Sequence, residues 1–197
     1  MECLIVVDIQ YDFLPGGALA VPDGDLTIPV INYLQKDFPL VVATQDWHPE
    51  GHKSFASSHV GRSVLEVIDY RGMEQVLWPD HCVQGTEGAE LSVALQTERI
   101  EAIFRKGTDP EIDSYSGFFD NGKLKSTGLH GFLQDKGISK ISVCGLAADF
   151  CVYFTAMHAL DLGYEVTILN NASRPIDPVA YELKTNQFMS KGGVIKE

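Results

Sequence analysis

The sequence predicts a doubly wound α/β fold, in which helices cover both faces of a parallel sheet. Short apolar runs alternate with helical segments from one end of the chain to the other. The runs are continuously apolar, as in residues 4–7 and 40–43, which is typical of strands buried on both faces. The alternation of strands and helices also implies right-handed crossovers, which make successive strands parallel.

Six strands are expected in this sheet. They are placed at residues 3–8, 39–45, 101–105, 140–145 and 165–170, with a short one near Val194. Helices are expected at residues 26–37, 89–97, 124–136, 149–162 and 178–191. Glycines that follow three of these helices support their ends, and Ser126 is expected to cap the third helix.

Length and composition indicate one domain that spans residues 1–197. The chain is 45% hydrophobic and 21% charged, and it shows no internal repeat or linker. A net charge of −12 argues against binding to nucleic acid or to anionic membranes. No signal peptide and no apolar run near the ~20 residues of a membrane helix are found. Because Cys3 and Cys144 fall in predicted buried strands, we expect a cytoplasmic protein without disulfides.

Two long segments interrupt the alternation, at residues 47–88 and 107–122. Each begins directly after a predicted strand. Long loops in compact domains are usually functional, and open parallel sheets bind their ligands at the carboxyl ends of strands. We therefore expect the functional site at this edge of the sheet.

Three reactive side chains fall at the same edge. Asp8 ends the first strand, Lys106 follows the third, and Cys151 lies in the first turn of the helix after the fourth. A helix N-terminus and a nearby ammonium favour a thiolate, so a lowered pKa is expected for Cys151. Asp8 could accept the thiol proton and later donate it to a leaving amine. Each residue alone also fits packing or a solvated strand end, but the three together favour a catalytic cluster.

A second group of residues suggests a metal site. Asp46 and His48 are two positions apart, so they point the same way in extended backbone, and His81 could return through the long loop. One carboxylate and two imidazoles suit zinc, iron or manganese. Other side chains in these loops remain as competing ligands, namely His52, His59 and Cys82. Phosphate-binding glycine motifs and a Gly-x-Ser-x-Gly nucleophile elbow are absent.

Five segments together resemble the nicotinamidase/pyrazinamidase branch of the isochorismatase-like hydrolases. They are residues 7–13, 46–49, 78–82, 105–107 and 145–152. The resemblance runs in order from about residue 4 to residue 171. It implies a six-stranded, Rossmann-like, three-layer α/β/α fold. It also implies conversion of nicotinamide and water to nicotinate and ammonia in NAD salvage, with pyrazinamide as a further substrate, and assembly into a homo-oligomer.

The resemblance also assigns roles to residues. Cys151 would be the nucleophile that forms a thioester, Asp8 the proton shuttle and Lys106 the third member of the triad. The peptide bond between Leu146 and Ala147 would be cis, directing the Ala147 and Cys151 amides at the oxyanion.

For the metal site, the resemblance implies that Asp46, His48 and His81 bind one divalent ion. Zinc is the first choice, with iron or manganese as alternatives. The ion would hold the ring nitrogen of the substrate, and Ser54 would contribute to the site directly or through water. The expected pocket walls are Phe13, Leu19, Trp78 and Tyr115, although Leu19 also fits plain core packing.

Other readings stay open at this point. The same triad serves amidohydrolases of carbamoyl or ureido substrates, which generally lack the metal cluster, whereas vinyl-ether hydrolases of this fold lack the cysteine. A non-catalytic binding module and a hydrolase with a metal-activated water are the remaining alternatives. Ala148 stands where many relatives have threonine, and residues 173–197 carry no recognised motif.

Overall fold

The computed structural model describes residues 1–197, and eight strands and four α-helices make up its regular structure. The strands are β1 (Glu2–Val7), β2 (Leu40–Asp46), β3 (Val67–Tyr70), β4 (Met73–Val76), β5 (Ile100–Lys106), β6 (Lys140–Gly145), β7 (Glu165–Ser173) and β8 (Val194–Lys196). The helices are α1 (Thr27–Leu34), α2 (Leu129–Asp135), α3 (Tyr153–Asp161) and α4 (Pro178–Ser190).

Six of the strands form one sheet in the order β5-β2-β1-β6-β7-β8, and every neighbouring pair in it is parallel. The chain starts in the middle with β1, winds outward to β5, and then returns to β6 on the other side. Val6 of β1 therefore lies between Ala43 of β2 and Cys144 of β6. In such sheets the ligand crevice forms where the winding direction reverses, here at the carboxyl ends of β1 and β6.

Two apolar clusters cover the two faces of this sheet. On one face, Ile5 of β1 is buried in a cluster that includes side chains of α2, α3 and α4. On the other face, Leu4 of β1 is buried with Ile28 and Ile31 of α1. Adjacent residues of a strand point to opposite faces, so burial of both explains why the strands read as uninterrupted apolar runs. The doubly wound fold class is confirmed.

The helix predicted at residues 89–97 is wrong. Only a short 3₁₀ turn, Glu87–Ala89, forms there, and the chain then runs extended past the end of β1. The backbone N–H of Tyr11 donates to Glu90 O at 3.2 Å, and that of Ser92 donates to Ile9 O at 2.9 Å. Because these backbone groups form hydrogen bonds with a distant segment, they do not form the local hydrogen bonds of a helix.

The helix predicted from residue 124 begins later, at Leu129. The side-chain oxygens of Ser126 and Thr127 accept from the N–H groups of Gly128 and Leu129, at 3.1 and 3.2 Å. Gly128 adopts φ +92°, which no right-handed helix contains. Ser126 therefore belongs to the turn before α2 and is not its cap.

The long segment 47–88 also contains structure that the sequence did not predict, because β3 and β4 form a separate antiparallel hairpin within it. The longest helix is α4, with 13 residues. None of the helices combines the length and the apolar character that crossing a lipid bilayer requires.

Candidate active site

Lys106 contacts both Asp8 and Cys151 at the carboxyl edge of the sheet. Lys106 Nζ is 2.9 Å from Asp8 Oδ2 and donates to Cys151 Sγ at 3.4 Å. It also donates to the backbone oxygen of Ser114 at 3.0 Å. All three reactive side chains are buried. The convergence expected from the three strand ends is therefore present in the structure.

Local backbone features place these groups. Asp8 directly follows β1 with φ +49°, and its Oδ1 accepts a hydrogen bond from Thr44 Oγ1 at 2.6 Å. Lys106 is the last residue of β5. Cys151 lies in a single π-helical turn, Ala148–Val152, which joins β6 to α3. Such turns are rare and occur frequently at functional sites.

The Lys106 ammonium is held in its charged form by two carboxylates. Burial lowers the pKa of Lys106, but Asp46 and Asp8 raise it by more, and the resulting pKa lies well above its ordinary value. Asp46 Oδ1 lies 3.0 Å from Nζ, close to the distance of Asp8 Oδ2. Lys106 thus links Cys151 and Asp8 to Asp46, which belongs to the candidate metal cluster.

The lowered pKa expected for the Cys151 thiol is wrong. Burial raises this pKa well above its ordinary value, and the opposing effect of Lys106 is smaller. Burial also raises the pKa of Asp8, against the effect of Lys106. The helix terminus and the lysine can be read from the sequence, whereas the burial of the thiol cannot. A raised pKa favours the neutral thiol, so we expect a base to remove its proton when it reacts.

Asp46, His48 and His81, the metal ligands that the sequence predicts, lie together as a candidate metal-binding cluster. One ligand atom from each of the three buried residues lies within 4.8 Å of the others. Asp46 Oδ2 is 3.1 Å from His48 Nε2 and 3.6 Å from His81 Nε2. Burial lowers the pKa of His48, but Asp46 raises it by more, so this place attracts a cation. The donor set fits zinc as well as iron or manganese.

Hydrogen bonds orient both imidazoles for metal binding. Nδ1 of His48 lies 3.1 Å from Gly107 O, and Nδ1 of His81 lies 2.8 Å from Pro79 O. A carbonyl oxygen only accepts hydrogen bonds, so each Nδ1 carries the proton. Each Nε2 is then the ring nitrogen that can bind a metal ion. Nε2 of His48 is buried and faces the carboxylate oxygens of Asp46 at 3.1 Å and Asp113 at 4.0 Å, a setting that suits a bound cation.

Gly107 leaves the space that the His48 imidazole and the Asp46 carboxylate occupy. Its φ is +66°, and a Cβ built on it would lie 2.5 Å from His48 Cε1 and 2.8 Å from Asp46 Oδ1. Any larger residue would therefore displace the imidazole or the carboxylate of the cluster.

None of the competing ligands belongs to the candidate metal cluster. The cluster does not include His52, His59 or Cys82. Ser54 Oγ is 2.7 Å from Nδ1 of His52, and the Ser54 N–H donates to the same nitrogen at 3.1 Å. The His52 ring packs beside that of His48 at a centroid distance of 4.3 Å. The structure therefore places Ser54 next to the cluster through His52, and its metal-binding role stays a prediction.

Gln10 holds the backbone of Asp46. Its Nε2 donates to Asp46 O at 2.7 Å and to Ala89 O at 2.8 Å, and its Oε1 accepts from Asp46 N–H at 2.8 Å. The side chain is fully buried. Gln10 therefore fixes the backbone of Asp46, a candidate metal ligand.

We expect Gln10→Ala to weaken metal binding by roughly 10–100-fold, because partners that orient a metal ligand typically contribute this much. It should also lower the free energy of unfolding by about 2 kcal/mol, since buried backbone groups lose their partner. Titration with zinc and urea unfolding measure the two effects. Gln84→Ala is the control, because Gln84 donates to Trp47 O but is exposed. Wild-type zinc affinity in folded Gln10→Ala would contradict the prediction.

Cys151 and two residues of the candidate metal cluster line one cavity that opens to solvent, with about 310 Å³ of empty space including that opening. Its wall includes Cys151, Asp46 and His81, together with all four predicted pocket residues, which are Phe13, Leu19, Trp78 and Tyr115. Leu19 lines the cavity and also packs against the apolar cluster on that face of the sheet, so both expectations for it hold. Trp78 Nε1 donates to the Tyr115 hydroxyl at 3.2 Å, so these two walls support each other.

The predicted cis peptide bond between Leu146 and Ala147 is present. Ala147 lines the cavity beside Cys151, where the oxyanion amides were expected. Direct donation by these amides to a bound substrate stays a prediction.

Sequence reasoning missed three residues of the cavity wall, namely Asp113, Phe150 and Ile176. Phe150 precedes Cys151, and its ring packs edge-on against Trp78 at 4.9 Å, so its adjacency to the thiol was an available signal. Asp113 lies in the long loop 107–122, with Oδ1 4.0 Å from His48 Nε2. Ile176 lies in the C-terminal segment, where no motif indicates its position.

The fold and the site define a doubly wound α/β protein with a buried thiol, lysine and carboxylate beside a three-residue candidate metal cluster. The sequence profile of the isochorismatase domain matches residues 2–196. The chain belongs to the isochorismatase family.

Individual relatives are similar over most of their length. A nicotinamidase of Escherichia coli (strain K12) is 47% identical over 180 residues, covering 89% of this chain and 84% of that protein. The structure of an Acinetobacter baumanii nicotinamidase/pyrazinamidase superposes with a TM-score of 0.97 at 42% identity, covering 100% and 95% of the two chains. A Pyrococcus horikoshii pyrazinamidase in complex with zinc superposes with a TM-score of 0.82 at 40% identity, covering 100% and 98%.

Proposed function

We propose that this chain is a nicotinamidase, a cysteine amidohydrolase that converts nicotinamide and water into nicotinate and ammonia. One observation carries the proposal: Cys151 lines the same aromatic-walled cavity as Asp46 and His81, two members of the candidate metal cluster. A planar heteroaromatic amide needs such walls for its ring and a nucleophile at its carbonyl carbon. The names of the similar proteins support this substrate, and pyrazinamide is expected as a second one.

In the acylation half of the reaction, Asp8 accepts the proton of the Cys151 thiol, and Sγ attacks the amide carbonyl carbon. The backbone N–H groups of Ala147 and Cys151 stabilise the oxyanion. Asp8 then donates its proton to the amide nitrogen, the carbon–nitrogen bond breaks and ammonia leaves. The product of this half is a Cys151 thioester. The Lys106 ammonium, 3.4 Å from Sγ, stabilises the thiolate that forms on the way.

In the deacylation half, a water molecule attacks the thioester carbonyl while Asp8 accepts its proton. The carbon–sulfur bond breaks, nicotinate is released, and the proton on Asp8 returns to Cys151. The raised pKa of Asp8, caused by burial, suits a carboxyl group that must carry a proton in both halves. Lys106 stays charged throughout, because its pKa lies well above its ordinary value.

We assign Asp46, His48 and His81 to one divalent metal ion, with zinc first and iron or manganese as alternatives. Ser54 contributes to this site directly or through water. When bound, the ion would supply a Lewis-acid contact for the ring nitrogen of the substrate. It would therefore anchor the ring and leave activation of the nucleophile to Asp8 and Lys106.

The alternative readings are weaker. Amidohydrolases of carbamoyl or ureido substrates do not need the Asp46, His48 and His81 cluster, and a vinyl-ether hydrolase does not need the buried thiol. A non-catalytic binding module does not require a lysine ion-paired to two buried carboxylates beside that thiol. A hydrolase with a metal-activated water would survive loss of Cys151 but not of His81.

Ammonia release from nicotinamide by the purified, zinc-loaded protein tests the proposal. Turnover is expected, and removal of the metal with a chelator should lower kcat/KM at least roughly tenfold, because the ring would lose its anchor. Zinc added back to the stripped protein is the control for irreversible damage. No turnover in the loaded wild-type protein would overturn the substrate assignment, and carbamoyl and ureido amides would then be assayed.

The proposal extends to the organisation of the chain. We assign residues 1–197 to a single isochorismatase-like hydrolase domain, which the continuous six-stranded sheet supports. A cytoplasmic location and a homo-oligomer complete the proposal. All four cysteines are free and buried, which suits a reducing compartment.

A further inference from the structure

Ile176 is the cavity residue that no motif indicates. It lies in the connection between β7 and α4, and its half-buried side chain lines the cavity together with Phe150 and Cys151. Most of the other apolar wall residues are aromatic and pack edge-on against one another, as Trp78 does with Phe150 and Tyr115. Ile176 is a branched aliphatic side chain, so its volume can change without breaking these aromatic contacts.

The segment that carries Ile176 is attached to the turn that carries Cys151. The Asp149 carboxylate accepts the Ile176 N–H on Oδ1 and the Asp177 N–H on Oδ2, both at 2.9 Å. The Ala148 N–H donates to Arg174 O at 2.7 Å. These bonds fix the distance between the isoleucine wall and the thiol.

Asp149 itself does not line the cavity. It is fully buried, and each of its carboxylate oxygens accepts one backbone N–H of the connection. Its own backbone oxygen accepts a hydrogen bond from Lys184 of α4. Asp149 therefore acts on the cavity only through the position of its neighbours, chiefly Ile176.

We propose that Ile176 limits the size of ring substituents that the cavity accepts, and that Asp149 is the positioning residue that holds Ile176 in the wall. This inference rests on the proposed nicotinamidase function. A hydrophobic wall discriminates against one additional methyl group by roughly 10–200-fold, so a single isoleucine is sufficient for a measurable limit. The relevant ligands are alkyl-substituted heteroaromatic amides.

The test compares kcat/KM for nicotinamide, 5-methylnicotinamide and 6-methylnicotinamide. In Ile176→Ala, the ratio of at least one methylated amide to nicotinamide should rise roughly tenfold or more. In Ile176→Phe, the KM of nicotinamide should rise about tenfold while kcat changes less than about threefold, because the wall binds the ring without contacting the reacting atoms. Val179→Ala, at a 71% exposed position of α4, is the control and should match wild type.

Asp149→Asn tests the positioning role, because a carboxamide offers one acceptor oxygen where two N–H groups need one each. Its selectivity should shift in the same direction as that of Ile176→Ala. The double variant should shift no further than Ile176→Ala alone, because both changes act on one wall. Asp149→Glu keeps both acceptor oxygens and serves as a second positioning variant if Asp149→Asn does not fold, as judged by thermal unfolding.

The outcomes are distinct. An unchanged selectivity ratio in active Ile176→Ala would overturn the size limit and leave the proposed function standing. Wild-type selectivity in a folded positioning variant would overturn the role of Asp149 alone. Absence of nicotinamide turnover in the wild-type protein would overturn the proposed function, and this inference with it.

Discussion

Replacing Cys151 with alanine is expected to lower kcat for ammonia release from nicotinamide by on the order of 10⁴-fold or more, as loss of a nucleophile does in other covalent hydrolases. Cys151 is the proposed nucleophile, and it lines the cavity with its thiol in contact with the Lys106 ammonium. Binding should survive, because the aromatic walls and the metal-binding cluster are unchanged. Nicotinate titration followed by tryptophan fluorescence, to which Trp78 in the cavity wall contributes, measures this binding separately from turnover.

Cys144→Ala is the matched control. Cys144 is also fully buried, but it lies in β6 with its thiol directed toward Ile5 O, away from the cavity. This variant should keep kcat near the wild-type value and lose only some stability. A Cys151→Ala protein that still releases ammonia, with activity that disappears in His81→Ala, would instead establish a metal-activated water as the nucleophile.

Replacing Lys106 with methionine is expected to reduce both activity and stability. Lys106 is fully buried, so its removal leaves the Asp8 and Asp46 carboxylates without their shared cation. Breaking a buried ion pair in this way typically costs about 3–5 kcal/mol of unfolding free energy. Without the ammonium, the thiolate also loses its stabilising charge, so kcat should fall by roughly 10²–10³-fold. Urea unfolding and steady-state kinetics measure the two effects.

The control for Lys106→Met is Lys140→Met. Lys140 forms a 2.9 Å ion pair with Glu165, but both side chains are more than half exposed. Water screens this pair, so the substitution should leave stability and kcat almost unchanged. Equal small effects in both variants would show that Lys106 neither supports the buried carboxylates nor assists the thiol.

The sequence predicted the sheet well because its strands are buried on both faces. A continuous apolar run is typical of a strand that is covered on both faces of a parallel sheet. The sequence predicts such a strand at residues 140–145, which are the bounds observed for β6. Once the strands were placed, the convergence of Asp8, Lys106 and Cys151 followed from the geometry of parallel strands. The helix predicted at residues 89–97 is wrong because backbone groups of Ile9 and Tyr11 form hydrogen bonds with that segment. No local sequence pattern indicates such distant partners.

Other features depend on contacts between distant segments. The raised pKa of the Cys151 thiol results from burial, which the order of residues does not give. Ile176 reaches the cavity because Asp149, 27 residues earlier in the chain, binds its backbone. Asp113 approaches His48 through the fold of a long loop. Such contacts require the tertiary structure, whereas strand ends can be read from apolar patterning.

Lys106 belongs to β5, the outermost strand on its side of the sheet, and this position affects how the protein loses activity. An edge strand is hydrogen-bonded to one neighbour only, and Ile103 in its middle is about half exposed. Local opening of an edge costs less free energy than global unfolding. On heating, detachment of β5 would remove the ammonium from the thiol while the remaining five strands still hold together. Inactivation should therefore begin at a lower temperature than the cooperative loss of secondary structure.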